Sequence, residues 1–406
     1  MSYIPPQEIL EAYANVLVNW ALGGGKGVQP GEVVQVKAEQ EATPLADEVC
    51  KAVWRAGGHV IVFGHLPGGD QSHLSPAFFE IASDEQVDFF PAKLLRGLAD
   101  EMNHEVVIYT DASPHMLAGT DPERTVRFRE AVRPFRDWRD EKENLGQYSW
   151  TLCEYGTPGI AAEARMGIEE YWAQIIKACF LDDPDPIARW REIDAKTVEI
   201  REKLTALQID RVHVEGEDAD LWITIGEKRM WRGGEGCNIP SFEVFTSPDW
   251  RGTNGWIRFS EPLYAFGSLI TGVRLEFKDG VVVKATADQN QELLEQIVAS
   301  EGADRLGEFS LTDSRLSRID RFMATTLYDE NVGGPFGNTH VALGNAYQDT
   351  YAGDPASLED ADFERLGFNT SAIHEDIVST TDRTVTAHLP DGSSRVIYAG
   401  GKFQLD

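Results

Sequence analysis

His374-Glu375-Asp376 runs into Ile377-Val378, an extended context. Side chains two apart on a strand share a face, so His374 and Asp376 could grip one metal while Glu375 points away. Imidazole with carboxylate suits zinc, cobalt, manganese or iron(II). A His-x-Asp triplet also arises by chance, and alone it fits an ordinary surface strand. His340 lies in Gly337-Asn338-Thr339-His340-Val341-Ala342-Leu343-Gly344, read as a loop running into small and apolar residues. By itself it reads as a satisfied structural histidine as readily as a ligand. Glu243 sits within the otherwise apolar, extended stretch Asn238 to Pro248. A carboxylate there costs several kcal/mol if ionised and unpaired, so it needs a cation or a proton. Glu308, in Leu306-Gly307-Glu308-Phe309-Ser310-Leu311, makes the same demand. Together these residues offer oxygen and nitrogen ligands for two divalent cations. A pair of ions at ~3.5–4 Å is common apparatus for hydrolysing an amide or ester.

Other chemical motifs fail. Gly23-Gly24-Gly25-Lys26-Gly27 follows a helix instead of a strand and lacks the Ser/Thr that a phosphate loop places after its lysine. It reads as a helix-terminating turn. Asp182-Asp183-Pro184-Asp185-Pro186 has cation-binding composition, but its prolines and the lack of a following glycine loop make it a helix break. The chain has no HExxH, no GxSxG and no GxGxxG after a strand.

The elements that must position these residues fall into two textures. Residues 6 to 21 space Ile9, Leu10, Tyr13, Val16, Leu17 and Trp20 as an amphipathic helix. Helical patterns at Pro44 to Ala56 and Ala92 to Met102 alternate with short apolar runs at Val33 to Lys37, His59 to Phe63, Glu105 to Tyr109 and Trp150 to Glu154. That alternation predicts a parallel sheet covered on both faces. Residues 165 to 207 read as mainly helical. From Arg211 onward short strands dominate, with Lys278-Asp279-Gly280 as a hairpin turn and helices expected at Gln289 to Ser300 and Ser314 to Thr326. The fold expectation is an N-terminal layered α/β domain, residues 1–205. It is followed by an α+β C-terminal domain rich in antiparallel hairpins, residues 206–406, which holds the candidate ligands.

A chain of 406 residues buries enough surface to fold without a disulfide or metal staple. It has 67 acidic against 37 basic residues, a formal net charge of −30. That field repels phosphate backbones and anionic lipid, so neither nucleic acid nor membrane is the expected partner. Cys50, Cys153, Cys179 and Cys237 are scattered, no signal peptide is legible, and no apolar run approaches a membrane span. Reduced thiols and a cytoplasmic location are the expectation.

At its candidate ligands the sequence resembles the thermophilic-type metallo-aminopeptidases, the family of aminopeptidases T and S, and the resemblance covers nearly the whole chain. Its softer parts are Val28-Gln29-Pro30-Gly31-Glu32-Val33-Val34, Ala46 to Gly58 and Ala118-Gly119-Thr120-Asp121-Pro122. Its specific parts are Asn238 to Pro248, Leu306-Gly307-Glu308, Leu327-Tyr328-Asp329-Glu330-Asn331, His340-Val341-Ala342-Leu343-Gly344 and His374-x-Asp376. The resemblance implies a homodimer whose dinuclear site uses Glu243, Glu308, His340, His374 and Asp376, with Glu330 as a sixth ligand. Tyr347, seven residues after His340, matches the family's catalytic tyrosine. One departure is the stretch Val332 to Thr339, longer than in shorter members, which bears on Glu330 and on the pocket over His340.

The implied activity is removal of N-terminal residues from peptides with a free N-terminus, using two divalent ions such as zinc, cobalt or manganese. Glu308 or Glu330 would relay the proton, and Tyr347 would donate to the oxyanion. Two rival classes share the scaffold's logic. A mononuclear iron(II) ring-cleaving dioxygenase of the dihydroxypyridine type would need only His340, His374 and Asp376, leaving Glu243 and Glu308 without purpose. A non-catalytic binding protein would not need the ligand set at all.

Overall fold

The computed structural model describes residues 3–62, 76–110, 121–266 and 268–406. Phe63 and the Ala118-Gly119-Thr120 part of the N-terminal motifs lie outside them. The chain divides into two compact units, Met1–Trp190 with Glu235–Ile239, and Arg191–Gly234 with Pro240–Asp406. The helix Pro186–Ala206, which contains residue 205, therefore belongs to the second unit from Arg191 onward.

The first unit is built on the expected parallel sheet. Its strands are ordered His59–Val62, Val33–Ala38, His104–Tyr109, Ser149–Glu154 and the two-residue Asn238–Ile239, every neighbouring pair parallel. Val34, Val36, Val106, Ile108 and Cys153 are buried in it. The first helix, Gln7–Val16, continues as a π-helical turn, Leu17–Ala21, and carries the predicted apolar face through to Trp20, which stacks on Trp190 with ring centroids 5.2 Å apart. The glycine run then ends the helix. Gly27 has φ +71°, and a Cβ there would lie 2.7 Å from the Asn19 backbone, so its place in the run requires glycine.

Three strand beginnings are tied together by His104. Its Nδ1 lies 2.8 Å from Ser149 Oγ and its Nε2 2.8 Å from Glu32 Oε2. Ser149 Oγ also accepts from Gly23 N–H, and Glu32 Oε2 from Gln29 N–H. The imidazole is buried, and both ring nitrogens are satisfied. This serine–histidine–carboxylate chain holds the glycine turn against the sheet.

The second unit carries an eight-stranded sheet and a four-stranded sheet, both antiparallel throughout. A single apolar core includes residues of both, such as Val214, Ile223, Leu275 and Val385 from the first and Phe309, Leu311, Val341 and Ile377 from the second. The predicted hairpin joins Arg274–Lys278 to Val281–Thr286, with Asp279 at φ +50° and Gly280 at φ +88°, the signs of a type I′ turn. The helix expected over Gln289 to Ser300 spans Gln291–Ala299.

The helix expected over Ser314 to Thr326 does not form; only Thr326–Asp329 is helical. Side chains take over the backbone here. Asp313 accepts from Arg315 N–H, and Asp329 accepts from Met323 N–H and Thr325 N–H. Ser317 donates to the Asn331 carbonyl, and Ala324 is left-handed at φ +58°. Such local polar bonds compete with the helical ladder. Among the described residues no helix is long and apolar enough to cross a membrane.

Replacing His104 by alanine leaves the partly buried Ser149 and Glu32 without their shared partner. The expected cost is ~1–3 kcal/mol, read as a lower denaturant midpoint at unchanged slope. A midpoint within error of the parent would show that the clamp does not hold the strand ends.

Candidate metal centre

The candidate ligands lie on the four-stranded sheet, whose strands we call β1 (Glu243–Thr246), β2 (Leu306–Thr312), β3 (Asn338–Gly344) and β4 (His374–Ser379), arranged β4-β3-β2-β1. The register sets Thr312 opposite Glu243, Ser310 opposite His340, Glu308 opposite Ala342 and Asp376 opposite Ala342. Strand alternation does the rest. Val244, Phe309, Leu311, Val341, Leu343 and Ile377 face the apolar core. Glu243, Glu308, Ser310, His340, His374 and Asp376 fall on the opposite face. His340 is thus a mid-strand residue and not the loop residue its glycine-flanked sequence suggested. Glu308 and Ser310, two apart in unbroken register, share that face, and a bulge between Leu306 and Glu308 turns Leu306 to the apolar core instead.

The side chains converge. His340 Nε2 lies 3.3 Å from Glu243 Oε2, 3.3 Å from Glu308 Oε1 and 3.9 Å from Asp376 Oδ1. His374 Nε2 lies 3.5 Å from Glu308 Oε2 and 3.5 Å from Asp376 Oδ1. Two groups with metal-ligand spacing result, Glu243–Glu308–His340 and Glu308–His374–Asp376, and Glu308 is common to both. Glu330 follows the short helix Thr326–Asp329, is buried, and stands outside both groups, although it feels the charges of Glu243, Asp376, His340 and Glu308.

The far side of each imidazole is fixed. His374 Nδ1 lies 2.8 Å from the Asn345 carbonyl, which only accepts, so Nδ1 carries the hydrogen and the neutral ring aims its Nε2 lone pair at Glu308 and Asp376. His340 Nδ1 faces Asn338 Oδ1 at 3.2 Å. Ser310 Oγ donates to Glu243 Oε2 over 3.1 Å. Ser310, Asn338 and Asn345 were not singled out in the sequence. The signal was present in the period of two, which puts Ser310 on the face of Glu308 and Asn338 on that of His340.

The charges do not balance within the protein. Four carboxylates, Glu243, Glu308, Glu330 and Asp376, surround two imidazoles in a buried setting. Burial, together with the neighbouring carboxylates, pushes Glu330 well above the usual carboxylate range and Glu243 above it as well. Burial opposes charge on His340 and His374, but the carboxylates beside them outweigh it and hold both well above the usual histidine range. Burial also works against the Asp376 carboxylate, yet the adjoining His374 and His340 hold it below its usual value. Asp376 Oδ1 is buried and accepts no hydrogen bond. An orphaned carboxylate oxygen, an excess of acidic groups and lone pairs aimed inward fit divalent cations of the zinc, cobalt or manganese kind.

The site opens along one direction. The His340 side chain is fully buried, that of His374 is 21% exposed, and Tyr347 is 42% exposed. The Tyr347 ring packs against His374 at 4.8 Å and Phe245 at 5.6 Å. Desolvation, with the charges of Glu308, Asp376, Glu330 and Glu243, holds its phenol well above the ordinary range.

A pH dependence follows from these directions. Without a cation, Glu243, Glu330 and both imidazoles bind protons more tightly folded than unfolded, so stability falls as pH rises through about 5 to 8. Asp376 acts oppositely, but only below about pH 4. With a divalent cation bound the ligands must be deprotonated, so the stabilisation by metal grows with pH. Melting of chelator-treated and zinc-saturated protein should therefore diverge as pH rises, by ~2.7 kcal/mol or more at a hundredfold excess over Kd. Coincident curves would mean that the cluster holds no cation.

Comparison with known proteins supplies the family. Over 420 residues the chain is 29% identical to aminopeptidase 2 of Geobacillus stearothermophilus, covering 98% of both chains. It is 27% identical over 410 residues to aminopeptidase T of Thermus thermophilus, covering 95% of this chain and 97% of that one. The solved structure of wild-type AmpT from Thermus thermophilus superposes with a TM-score of 0.80 at 25% identity, covering 98% of this chain and 99% of that chain. The family described as thermophilic metalloprotease (M29) matches residues 6–403, and the chain belongs to that family.

Proposed function

We propose that this protein is a metallo-aminopeptidase that removes N-terminal residues from peptides using two divalent ions that share Glu308. The observation that carries the reading is the pair of ligand groups joined at that one carboxylate. Glu243 and His340 would complete one position, His374 and Asp376 the other. Bound there, divalent ions supply Lewis-acid polarisation of the scissile carbonyl and acidify a water. The iron dioxygenase reading finds no use for Glu243, which faces His340 as closely as Glu308 does.

The protein's own groups account for the remaining chemistry. Both Glu308 oxygens are turned toward imidazoles, so Glu308 would chiefly hold metal at both positions. Glu330 lies outside both groups with a raised proton affinity, which suits it to take the water's proton and return it to the leaving amine. Tyr347 stays protonated through neutral pH and can donate to the carbonyl oxygen as it gains charge. The acidic shell attracts the substrate's α-ammonium, which favours free N-termini over blocked ones. By its resemblance to the family the chain works as a homodimer, and its scattered cysteines favour a reducing, cytoplasmic setting.

Chelated protein should lose hydrolysis of aminoacyl chromogenic substrates and regain it with zinc, cobalt or manganese, while N-acetylated substrates stay uncut. Equal cleavage of blocked and free substrates would sink the aminopeptidase reading. Among variants, Glu308→Gln should lose at least ~10²-fold in activity together with metal. Glu330→Gln should lose a similar factor while keeping both ions. Tyr347→Phe should keep both ions and lose ~2.7–4 kcal/mol of transition-state stabilisation, mainly in kcat. Normal turnover by Glu330→Gln would return the proton relay to Glu308, and normal turnover by Tyr347→Phe would remove the oxyanion donor from the mechanism.

A further inference from the structure

The extended stretch before His340 has a physical connection to the site. Asn338 Nδ2 donates to two carbonyls, Glu330 O at 2.7 Å and Val332 O at 2.8 Å. Carbonyl oxygens only accept, so the amide nitrogen must face them and Oδ1 must face His340 Nδ1, 3.2 Å away. That oxygen in turn only accepts, so Nδ1 carries a hydrogen. In the neutral ring the Nε2 lone pair is then directed at the space shared with Glu243 and Glu308. One buried amide thus fixes the orientation of His340 and ties it to the turn that follows Glu330.

The base of this stretch is itself clamped. The buried Tyr398 hydroxyl lies 2.9 Å from Thr312 O and 3.0 Å from Phe336 O. Gly337, at φ +59°, passes so close that a Cβ would fall 2.2 Å from both Thr312 O and the Tyr398 hydroxyl. Asn338 therefore enters β3 with its backbone placement already set. His374 owes nothing to this arrangement, since its Nδ1 is held by the Asn345 carbonyl.

We propose that Asn338 is a positioning residue that orients His340 and selectively sets the affinity of the cation position formed by Glu243, Glu308 and His340. This rests on the two-cation reading above. The 332–339 stretch is then part of the metal site's support: it delivers a side chain that joins His340 to the Glu330 turn.

The test is zinc binding to the full chain, by competition with a coloured chelator, in the parent, Asn338→Ala and Asn338→Asp. In Asn338→Ala one zinc should weaken about 10–100-fold, the range for loss of a ligand's outer partner, while the other stays within about threefold. Asn338→Asp keeps an acceptor for the Nδ1 hydrogen but loses the two donors, so its affinity should fall between alanine and parent. Asp376→Asn should weaken the other position, and the Asn338→Ala effect should persist in that background. Two zinc ions bound to Asn338→Ala as tightly as to the parent would overturn the proposal. So would equal weakening of both ions with a lowered melting temperature, the signature of a collapsed loop. A parent that binds a single zinc would refute the two-cation reading instead. The proposal would then stand if that zinc weakens in Asn338→Ala and fall if it does not.

Discussion

The excess of buried carboxylate over imidazole on one face of a four-stranded sheet governs this structure. Glu243, Glu308, Glu330 and Asp376 are drawn out of water around His340 and His374. Desolvating that many like charges is unfavourable by several kcal/mol per group unless protons or cations compensate. Protons can do so at low pH, as the raised proton affinities of Glu243, Glu330, His340 and His374 indicate. Divalent cations answer every part of the imbalance together.

The sheet makes that concentration of charge tolerable. Because side chains alternate along each strand, the residues between the ligands, including Phe309, Leu311, Val341 and Ile377, are free to form the apolar core. The candidate ligands are thus carried by strands anchored from behind, which keeps them in place better than loops would. Partners beyond the ligands finish the orientation: Ser310 for Glu243, Asn338 for His340 and a carbonyl for His374. The exposure rises from His340 through His374 to Tyr347, the most exposed of the three.

Much of this was legible in the amino-acid sequence, for identifiable reasons. The parallel strands of the first unit were apolar runs between amphipathic helices, and the Asp279-Gly280 hairpin announced itself by turn chemistry. Glu243, Glu308, His374 and Asp376 stood out because carboxylates and imidazole in extended segments need partners. Other features depend on contacts that no local pattern encodes. The two-residue strand Asn238–Ile239 joins the first unit's sheet through pairing with Leu152 and Cys153, too short a piece to show a period. His340 lay among glycines and small residues, which hid its strand. The stretch after Ser314 had helical spacing, but Asp313, Ser317 and Asp329 diverted its backbone bonds. The period of two places Asn338 on the face of His340, but its tie to a turn eight residues earlier has no local pattern to announce it.

In the proposed centre two cations share Glu308. Anomalous diffraction from crystals grown with cobalt or zinc would locate the ions directly. Two peaks are expected, separated by ~3.5–4 Å with the Glu308 carboxylate between them, one beside His340 and the other beside His374. A single peak, or two peaks of which neither touches Glu308, would contradict it.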